Sequence, residues 1–256
     1  MAKIDLNCDM GESFGNYTCG LDKDVVPHIS SANVACGFHA SDPLVMEKTV
    51  VLCQKAGVRV GAHPGFPDLV GFGRRQMQVS PDELRTMIIY QVGALKAFCE
   101  AAGLKLQHVK PHGAMYNMAG KDEVMARAIC EGVRAVDPSL ILLGLSGSKL
   151  IEAARAIGLR AAREVFADRA YEEDGSLVAR TKPGAMITDE DEAIARVVSM
   201  VTQHKVKAVT GREIPVEADS ICLHGDSPKA VLFAEKISAA LKAAGVTIAP
   251  MADIAG

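Results

Sequence analysis

The strongest constraint on this fold is a regular alternation of short apolar segments and helix-like stretches. Apolar segments recur at 4–9, 31–37, 58–63, 107–111, 140–145, 160–166 and 220–224. Strand-then-helix units with short connections require parallel strands and right-handed crossovers, and continuously apolar strands indicate a sheet covered on both faces. The units are even in length, and no Gly-x-Gly-x-x-Gly follows the first strand. The sequence therefore predicts an α/β fold, a closed (β/α) barrel rather than an open dinucleotide-binding sheet.

Capping signals predict where the helices begin and end. Asp42, with Pro43 in the first helical position, begins one helix, and Gly57 suits its left-handed C-terminal cap. Ser80 and Glu83 form the capping box of a long helix. Further helices are expected at 21–29, 122–136, 146–158, from 188 onward and at 227–245.

Two segments depart from the repeat. Asp174-Gly175 has the sequence of a two-residue hairpin turn between Tyr171 and Val178. The segment 246–250 is expected to be either an eighth strand or a closing segment.

Length and charge limit the class of protein. A chain of 256 residues is long enough for one large α/β domain, expected to span 1–256. The net charge is −3 and no run of lysines and arginines appears, so no nucleic acid or anionic membrane is expected as a partner. A small molecule or another protein is expected instead, and a homo-oligomer stays open.

Cysteine usage and the N-terminus indicate the compartment. The seven cysteines are scattered without a Cys-x-x-Cys pair, so neither a disulfide framework nor a zinc knuckle is predicted. A strand begins within a few residues of the N-terminus, which leaves no signal peptide, and no apolar run approaches the roughly 18 residues of a membrane helix. We expect a cytoplasmic protein.

Polar residues gather where the predicted strands end. The first strand alternates Ile4, Leu6 and Cys8 with polar residues. In a parallel barrel all carboxyl ends of the strands share one face, so residues distant in sequence line one pocket. The residues at these ends are Asn7, Asp9, Glu12, Asn33, His39, His63, Lys110, His112, Glu164, Asp168, Arg169, His224 and Asp226.

Simpler interpretations remain open for several of these residues. An isolated histidine after a strand is more often a structural residue than a catalyst. Asn7 and Asn33 could merely tie down turns, and Glu164 could be an ion-pair partner of Arg169. Lys110 is more informative, because a lysine on a buried strand reaches water only through the barrel mouth.

Three chemistries fit this set of residues. Asp9, His39, His63 and His112 could hold a divalent metal that activates water, but no His-x-His spacing is present and no metal is firmly predicted. Lys110 could form a Schiff base if burial lowered its pKa. Alternatively, Asp9 acts as general base on water while Lys110 or a histidine stabilises an oxyanion.

Long sequence blocks resemble one known family, LamB/YcsF. The blocks are spread over almost the whole chain, and none of them departs from the family pattern. They are Asp5-Leu6-Asn7-Cys8-Asp9-Met10-Gly11-Glu12, the segment 32–43, Gly61-Ala62-His63-Pro64-Gly65-Phe66-Pro67-Asp68, Val109-Lys110-Pro111-His112-Gly113-Ala114-Met115-Tyr116-Asn117, the segment 164–171 and Leu223-His224-Gly225-Asp226.

The resemblance implies a fold and an activity. The fold would be a seven-stranded, distorted TIM-like barrel, similar to the carbohydrate deacetylase superfamily. The activity would be ATP-dependent opening of the 5-oxoproline lactam to L-glutamate, together with 5-oxoprolinase subunits B and C. No Gly-x-x-x-x-Gly-Lys-[Ser/Thr] loop is present, because 144–149 has the wrong spacing, so ATP is expected to be handled largely on the partner subunits.

Roles for the residues follow from this resemblance. Asp9 would be the base for water, with Lys110, His39, His63 and His112 as catalytic groups around the reacting carbon. Substrate-binding residues would be Asn7, Glu12, Asn33, Glu164, Arg169, His224 and Asp226, with Arg169 a candidate for the substrate carboxylate. Two alternatives remain: a self-sufficient metal-dependent hydrolase or deacetylase of a sugar or amide, and a non-catalytic substrate-binding subunit.

Overall fold

The computed structural model describes residues 2–179, 181–223 and 228–255. Its strands are β1 (Lys3–Met10), β2 (Ser31–Ala35), β3 (Arg59–His63), β4 (Leu106–Val109), β5 (Ile141–Leu145), β6 (Arg160–Phe166), β7 (Lys205–Lys207), β8 (Glu213–Pro215), β9 (Ser220–Leu223) and β10 (Thr247–Ile248). Its α-helices are α1 (Asp22–Val25), α2 (Pro43–Ala56), α3 (Pro81–Ala101), α4 (Gly113–Ala119), α5 (Glu123–Val136), α6 (Lys149–Ala156), α7 (Glu190–Thr202) and α8 (Pro228–Ala243).

Seven parallel strands form a closed barrel. Their order is β1-β2-β3-β4-β5-β6-β9, and pairing of β9 with β1 closes the ring. At the closure Asn7 lies beside Cys222, while on its other side β1 places Asp9 beside Asn33. The prediction of a seven-stranded parallel (β/α) barrel is confirmed.

The two faces of β1 have opposite roles because successive side chains of a strand alternate. Ile4, Leu6, Cys8 and Met10 belong to the large apolar core. Asp5, Asn7 and Asp9 instead make side-chain hydrogen bonds with residues of other barrel strands. The barrel interior near its mouth is therefore polar, and the apolar core lies mainly outside the ring.

The predicted caps of the two long helices are confirmed. The Asp42 side chain accepts hydrogen bonds from the backbone N–H groups of Leu44 and Val45, and Gly57 is left-handed with φ 71°. Ser80 and Glu83 cap α3 reciprocally. Helix α2 connects β2 to β3, and helix α3 connects β3 to β4.

The C-terminal segment closes the end of the barrel opposite the mouth. β10 pairs with the beginning of β1, so 246–250 supplies an additional short strand outside the seven-stranded ring. The Arg160 guanidinium donates to the carbonyl oxygens of Ala252 and Ala255. Met251 and Ala255 then form a separate apolar cluster with Ile141, Leu143 and Ala162.

Some local predictions were wrong. The turn after β6 has three residues between Glu172 and Ser176, with an antiparallel bridge between Tyr171 and Leu177 rather than Val178. Gly175 adopts φ 81° there, as a three-residue hairpin loop requires. Helix α4 and the β7–β8 hairpin were not predicted, because both are short and lack strong periodicity. Among the described helices none has the length and apolar character needed to cross a membrane.

Candidate active site

A buried lysine joins two carboxylates at the barrel mouth. Lys110 follows β4, and its Nζ lies 3.0 Å from Asp9 Oδ1 and 2.8 Å from Glu164 Oε1. Glu164 is fully buried and also accepts a 2.7 Å hydrogen bond from the Tyr116 hydroxyl. The Asp9 side chain is 24% exposed, so solvent reaches this group of charges from its side.

The charges around Lys110 contradict the Schiff-base alternative. Burial alone would lower the pKa of Lys110, but the carboxylates of Asp9 and Glu164 outweigh burial and raise that pKa well above its usual value. The amine therefore stays protonated and is no nucleophile. For Asp9, burial alone would raise the pKa of the carboxyl group. The neighbouring charges of His63 and Lys110 instead hold this pKa well below its usual range.

Two buried asparagines hold Asp9 in place from the barrel interior. Asn33 Nδ2 donates to Asp9 Oδ1 at 2.8 Å and to Asn7 Oδ1 at 2.7 Å. Asn7 Nδ2 donates in turn to Ser220 Oγ on β9. Both amides are fully buried and bond side chains, not turns, so the alternative that they tie down turns is wrong. Their contacts orient Asp9 and, through Asn7 Oδ1, Lys110.

A histidine inside the barrel supports the asparagines. His108 lies on β4, and its Nε2 is 2.7 Å from Asn33 Oδ1. The ring occupies the space beside Gly61, where a Cβ atom would lie 2.1 Å from Nε2. Burial lowers the pKa of His108 to about 3, so the ring is neutral and Nε2–H donates to the asparagine oxygen.

Three histidine rings pack together beside Asp9. The rings of His39 and His112 are stacked with centroids 3.7 Å apart, and His63 stands edge-on to both. His63 Nε2 lies 2.9 Å from His112 Nδ1 and 3.3 Å from Asp9 Oδ2. Burial, reinforced by neighbouring histidines, lowers the pKa of His39 well below its usual value and that of His112 to about 2.

Glu12 completes this cluster from the end of β1. Its Oε1 is 3.3 Å from His39 Nε2 and 3.6 Å from His112 Nδ1. Burial and the nearby charge of Asp9 raise the pKa of Glu12. Glu12, His39, His63 and His112 each offer one possible ligand atom, and these atoms lie within 4.8 Å of one another, so this group could hold a metal ion.

The loop between β3 and α3 shapes the histidine cluster through unusual backbone. Phe72 has φ 54°, and its carbonyl oxygen lies 2.8 Å from His112 Nε2. Gly73 has φ 63°, and a Cβ there would lie 2.7 Å from both His112 Cδ2 and His39 Cβ. Only glycine allows this conformation and this approach at once.

The structure brings most of the predicted site residues together. Asp9, His39, His63, Lys110, His112, Asn7, Glu12, Asn33 and Glu164 form one continuous set of contacts. Glu164 pairs with Lys110, while Arg169 Nη2 donates to the Val178 carbonyl oxygen. His224 and Asp226 lie outside the described residues, so their predicted roles stay predictions.

Several contributing residues were not singled out from the sequence. Tyr116 and Ser220 contact Glu164 and Asn7, yet a tyrosine on a short helix and a serine opening a strand carry no local signal of function. Asp5 lies deeper and bonds Ser30, Ser31 and Ser220. The period-two pattern of the first strand could have identified Asp5, because it shares the face of Asn7 and Asp9.

A parallel barrel with a buried lysine, paired carboxylates and three histidines at one mouth has the organisation typical of (β/α)-barrel enzymes. The model of the LamB/YcsF family matches residues 4–256. The chain belongs to the LamB/YcsF family.

Relatives of known name match over their whole length. The chain is 64% identical to the A subunit of 5-oxoprolinase from Clostridium beijerinckii over 254 residues, which cover 99% of this chain and 100% of that protein. It is 52% identical to the A subunit of 5-oxoprolinase from Bacillus subtilis over 253 residues, which cover 99% of this chain and 98% of that protein.

Solved structures agree on the fold. A lactam utilization protein from Thermus thermophilus matches with a TM-score of 0.92 and 49% identity, covering 96% of this chain and 99% of that one. A putative cellobiose-phosphate cleavage protein from Enterococcus faecalis matches with a TM-score of 0.60 at 14% identity, over 100% of this chain and 99% of that one. At this identity the second likeness concerns the barrel fold alone.

Proposed function

We propose that this chain is the A subunit of an ATP-dependent 5-oxoprolinase, which opens 5-oxo-L-proline to L-glutamate together with subunits B and C. The observation that carries the proposal is the full-length identity of 64% to the A subunit of a 5-oxoprolinase. The polar barrel mouth supports it, because the mouth combines an ionised carboxylate and a buried cation within 3.0 Å.

The chemistry of the substrate gives a reason for dividing the work. A five-membered lactam is unstrained, and its amide carbon is a poor electrophile. Phosphorylation of the carbonyl oxygen would make that carbon reactive. In this scheme subunits B and C use ATP to activate the lactam, and this barrel hydrolyses the activated product.

Asp9 is the proposed base for the attacking water. Its side chain is the most exposed of the carboxylates in contact with Lys110, and Lys110 and Asn33 both bind its Oδ1. A carboxylate held ionised by a neighbouring cation is a weak base. Such a base suits water attack on an activated carbon better than attack on an unactivated lactam, in agreement with an ATP-dependent first step.

Lys110 is the proposed stabiliser of the developing negative charge. Its ammonium is fixed by Asp9 and Glu164, so little reorganisation accompanies the reaction. The Nδ1–H group of His63 and the Nε2–H group of His112 donate to backbone carbonyls and are not available to an oxyanion. Arg169 remains the candidate for the substrate carboxylate.

A second candidate function rests on the histidine cluster. A self-sufficient metal-dependent hydrolase would use Glu12, His39, His63 and His112 and would need neither nucleotide nor partner subunits. A third candidate function is substrate binding without catalysis. This function would give the Asp9 carboxylate no chemical role.

Reconstitution distinguishes these functions. The chain is combined with subunits B and C, ATP and 5-oxoproline, and glutamate is measured with each component omitted in turn. Asp9→Asn is expected to lower the rate by about 10²–10⁴-fold, the usual contribution of a general base. Asp24→Asn, at an exposed position on α1, is the matched control and should keep the full rate.

Each alternative has its own outcome. Glutamate formed by this chain alone without ATP would favour the self-sufficient hydrolase. An unchanged rate for Asp9→Asn in the complete system would reject Asp9 as the base and favour a role in substrate binding only.

A further inference from the structure

Backbone carbonyls fix the tautomers of two histidines in the cluster. His63 Nδ1 lies 2.7 Å from the Lys110 carbonyl oxygen, and His112 Nε2 lies 2.8 Å from the Phe72 carbonyl oxygen. A carbonyl oxygen only accepts hydrogen bonds, so each of these ring nitrogens carries a proton. When both rings are neutral, His63 Nε2 and His112 Nδ1 are therefore both unprotonated.

These two unprotonated nitrogens face each other. They are 2.9 Å apart, a hydrogen-bond distance with no hydrogen to share. Asp9 Oδ2 lies 3.3 Å from His63 Nε2, and Glu12 Oε1 lies 3.6 Å from His112 Nδ1, which adds two more electron-pair donors. Such a convergence of lone pairs in a buried site requires a positive charge between them.

We propose that the space bounded by Glu12, His39, His63 and His112 is a binding site for one divalent transition-metal ion of the zinc type. The ligand atoms would be Glu12 Oε1, His39 Nε2, His63 Nε2 and His112 Nδ1. Three imidazoles and one carboxylate suit zinc and its neighbours, whereas magnesium and calcium prefer sites made only of oxygen.

The spacing of the donor atoms fits this assignment. Tetrahedral zinc with bonds of about 2.0–2.1 Å places its ligand atoms roughly 3.3 Å apart. Neighbouring donors here are separated by 2.9 Å, 3.3 Å and 3.6 Å, which bracket that value. The rings of His39 and His112 are stacked in nearly parallel planes, so one of them must turn before both nitrogens can bind the same ion.

The surroundings also match those of metal-binding histidines. Such histidines almost always donate their other ring N–H to a carbonyl or carboxylate, which fixes ring orientation. His63 and His112 both do so with backbone carbonyls, whereas Nδ1 of His39 has no hydrogen-bond partner among the described residues. The left-handed backbone at Phe72 supplies one of these carbonyls, so an unusual loop conformation has a role here.

The competing occupant of this space is a proton. An imidazolium at His63 would donate Nε2–H to His112 Nδ1 and would pair with Asp9. The proton alternative predicts no stoichiometric metal, so metal binding itself separates the two. The test is independent of the proposed function, because it uses neither substrate nor nucleotide.

The experiment uses the full chain stripped with chelator and then titrated with Zn²⁺ by calorimetry and with Co²⁺ by visible absorption. We expect one ion per chain and the ligand-field absorption of a four- or five-coordinate Co²⁺ site. Loss of the hydrogen-bond partner of a metal ligand typically weakens metal binding by roughly 10–100-fold. His63→Gln and His112→Gln each remove a ligand itself, so each should weaken binding by more than that.

The matched control is His204→Gln, since the side chain of His204 is 60% exposed and pairs with Glu217 on the surface. Its metal binding should equal that of the wild type. If a variant fails to fold, ¹⁵N spectra of wild-type histidines give the answer, because Zn²⁺ should shift His63 Nε2 and His112 Nδ1. Absence of stoichiometric binding to the wild type, or unchanged binding in both variants, would overturn the proposal.

Discussion

Asp5 makes the stability of the barrel depend on pH. The carboxyl group is fully buried and accepts hydrogen bonds from the hydroxyls of Ser30, Ser31 and Ser220, which belong to or adjoin β2 and β9. Burial, only partly offset by these bonds, raises the pKa of Asp5 from 3.8 to about 6. The folded chain therefore binds this proton more tightly than the unfolded chain does.

The sign and size of the effect follow from linkage. Between pH 3.8 and about 6 the unfolded state carries fewer protons on Asp5, so the free energy of unfolding falls as pH rises through this window. About two pKa units correspond to about 3 kcal/mol. Above about pH 7 the loss is complete and constant.

Asp5→Asn isolates this contribution, because asparagine resembles the protonated acid and can bond the same hydroxyls. Urea unfolding is measured from pH 4 to pH 8 for both proteins. At pH 4 their free energies of unfolding should be similar, and by pH 7 the variant should be more stable by about 3 kcal/mol. Parallel profiles would refute the reasoning, and Asp24→Asn provides the exposed control.

Two further predictions concern packing and hydrogen bonds. Gly61→Ala places a methyl group within 2.2 Å of the His108 ring and should destabilise the fold by about 1–3 kcal/mol in thermal unfolding. Gly93→Ala lies in open space on α3 and should instead stabilise the fold by up to about 1 kcal/mol. Equal effects of the two changes would contradict the close approach. Tyr116→Phe leaves buried Glu164 Oε2 without its hydrogen-bond donor and should cost about 1–3 kcal/mol by urea unfolding; a neutral result would mean that the bond contributes nothing.

Local patterns in the sequence determined the elements and many of the site residues. Period-two alternation sorted the first strand into an apolar face and a polar face, and the caps at Asp42 and Ser80 fixed where two helices begin. These features depend on residues a few positions apart, whose backbone hydrogen bonds and side-chain directions are the same in any fold that contains them. The strand-then-helix repeat also predicted parallel strands, and residues that follow parallel strands lie at one mouth of a barrel.

The partners of each site residue were decided only by the tertiary structure. Lys110 meets Asp9 across 101 positions of sequence and Glu164 from a third strand, and no local pattern encodes that choice. The register and closure of the barrel determine which side chains lie at the same height inside it. The carbonyl groups of Lys110 and Phe72 determine which ring nitrogens of His63 and His112 are protonated. Protonation and pairing are properties of distances between strands, and those distances exist only once the ring has closed.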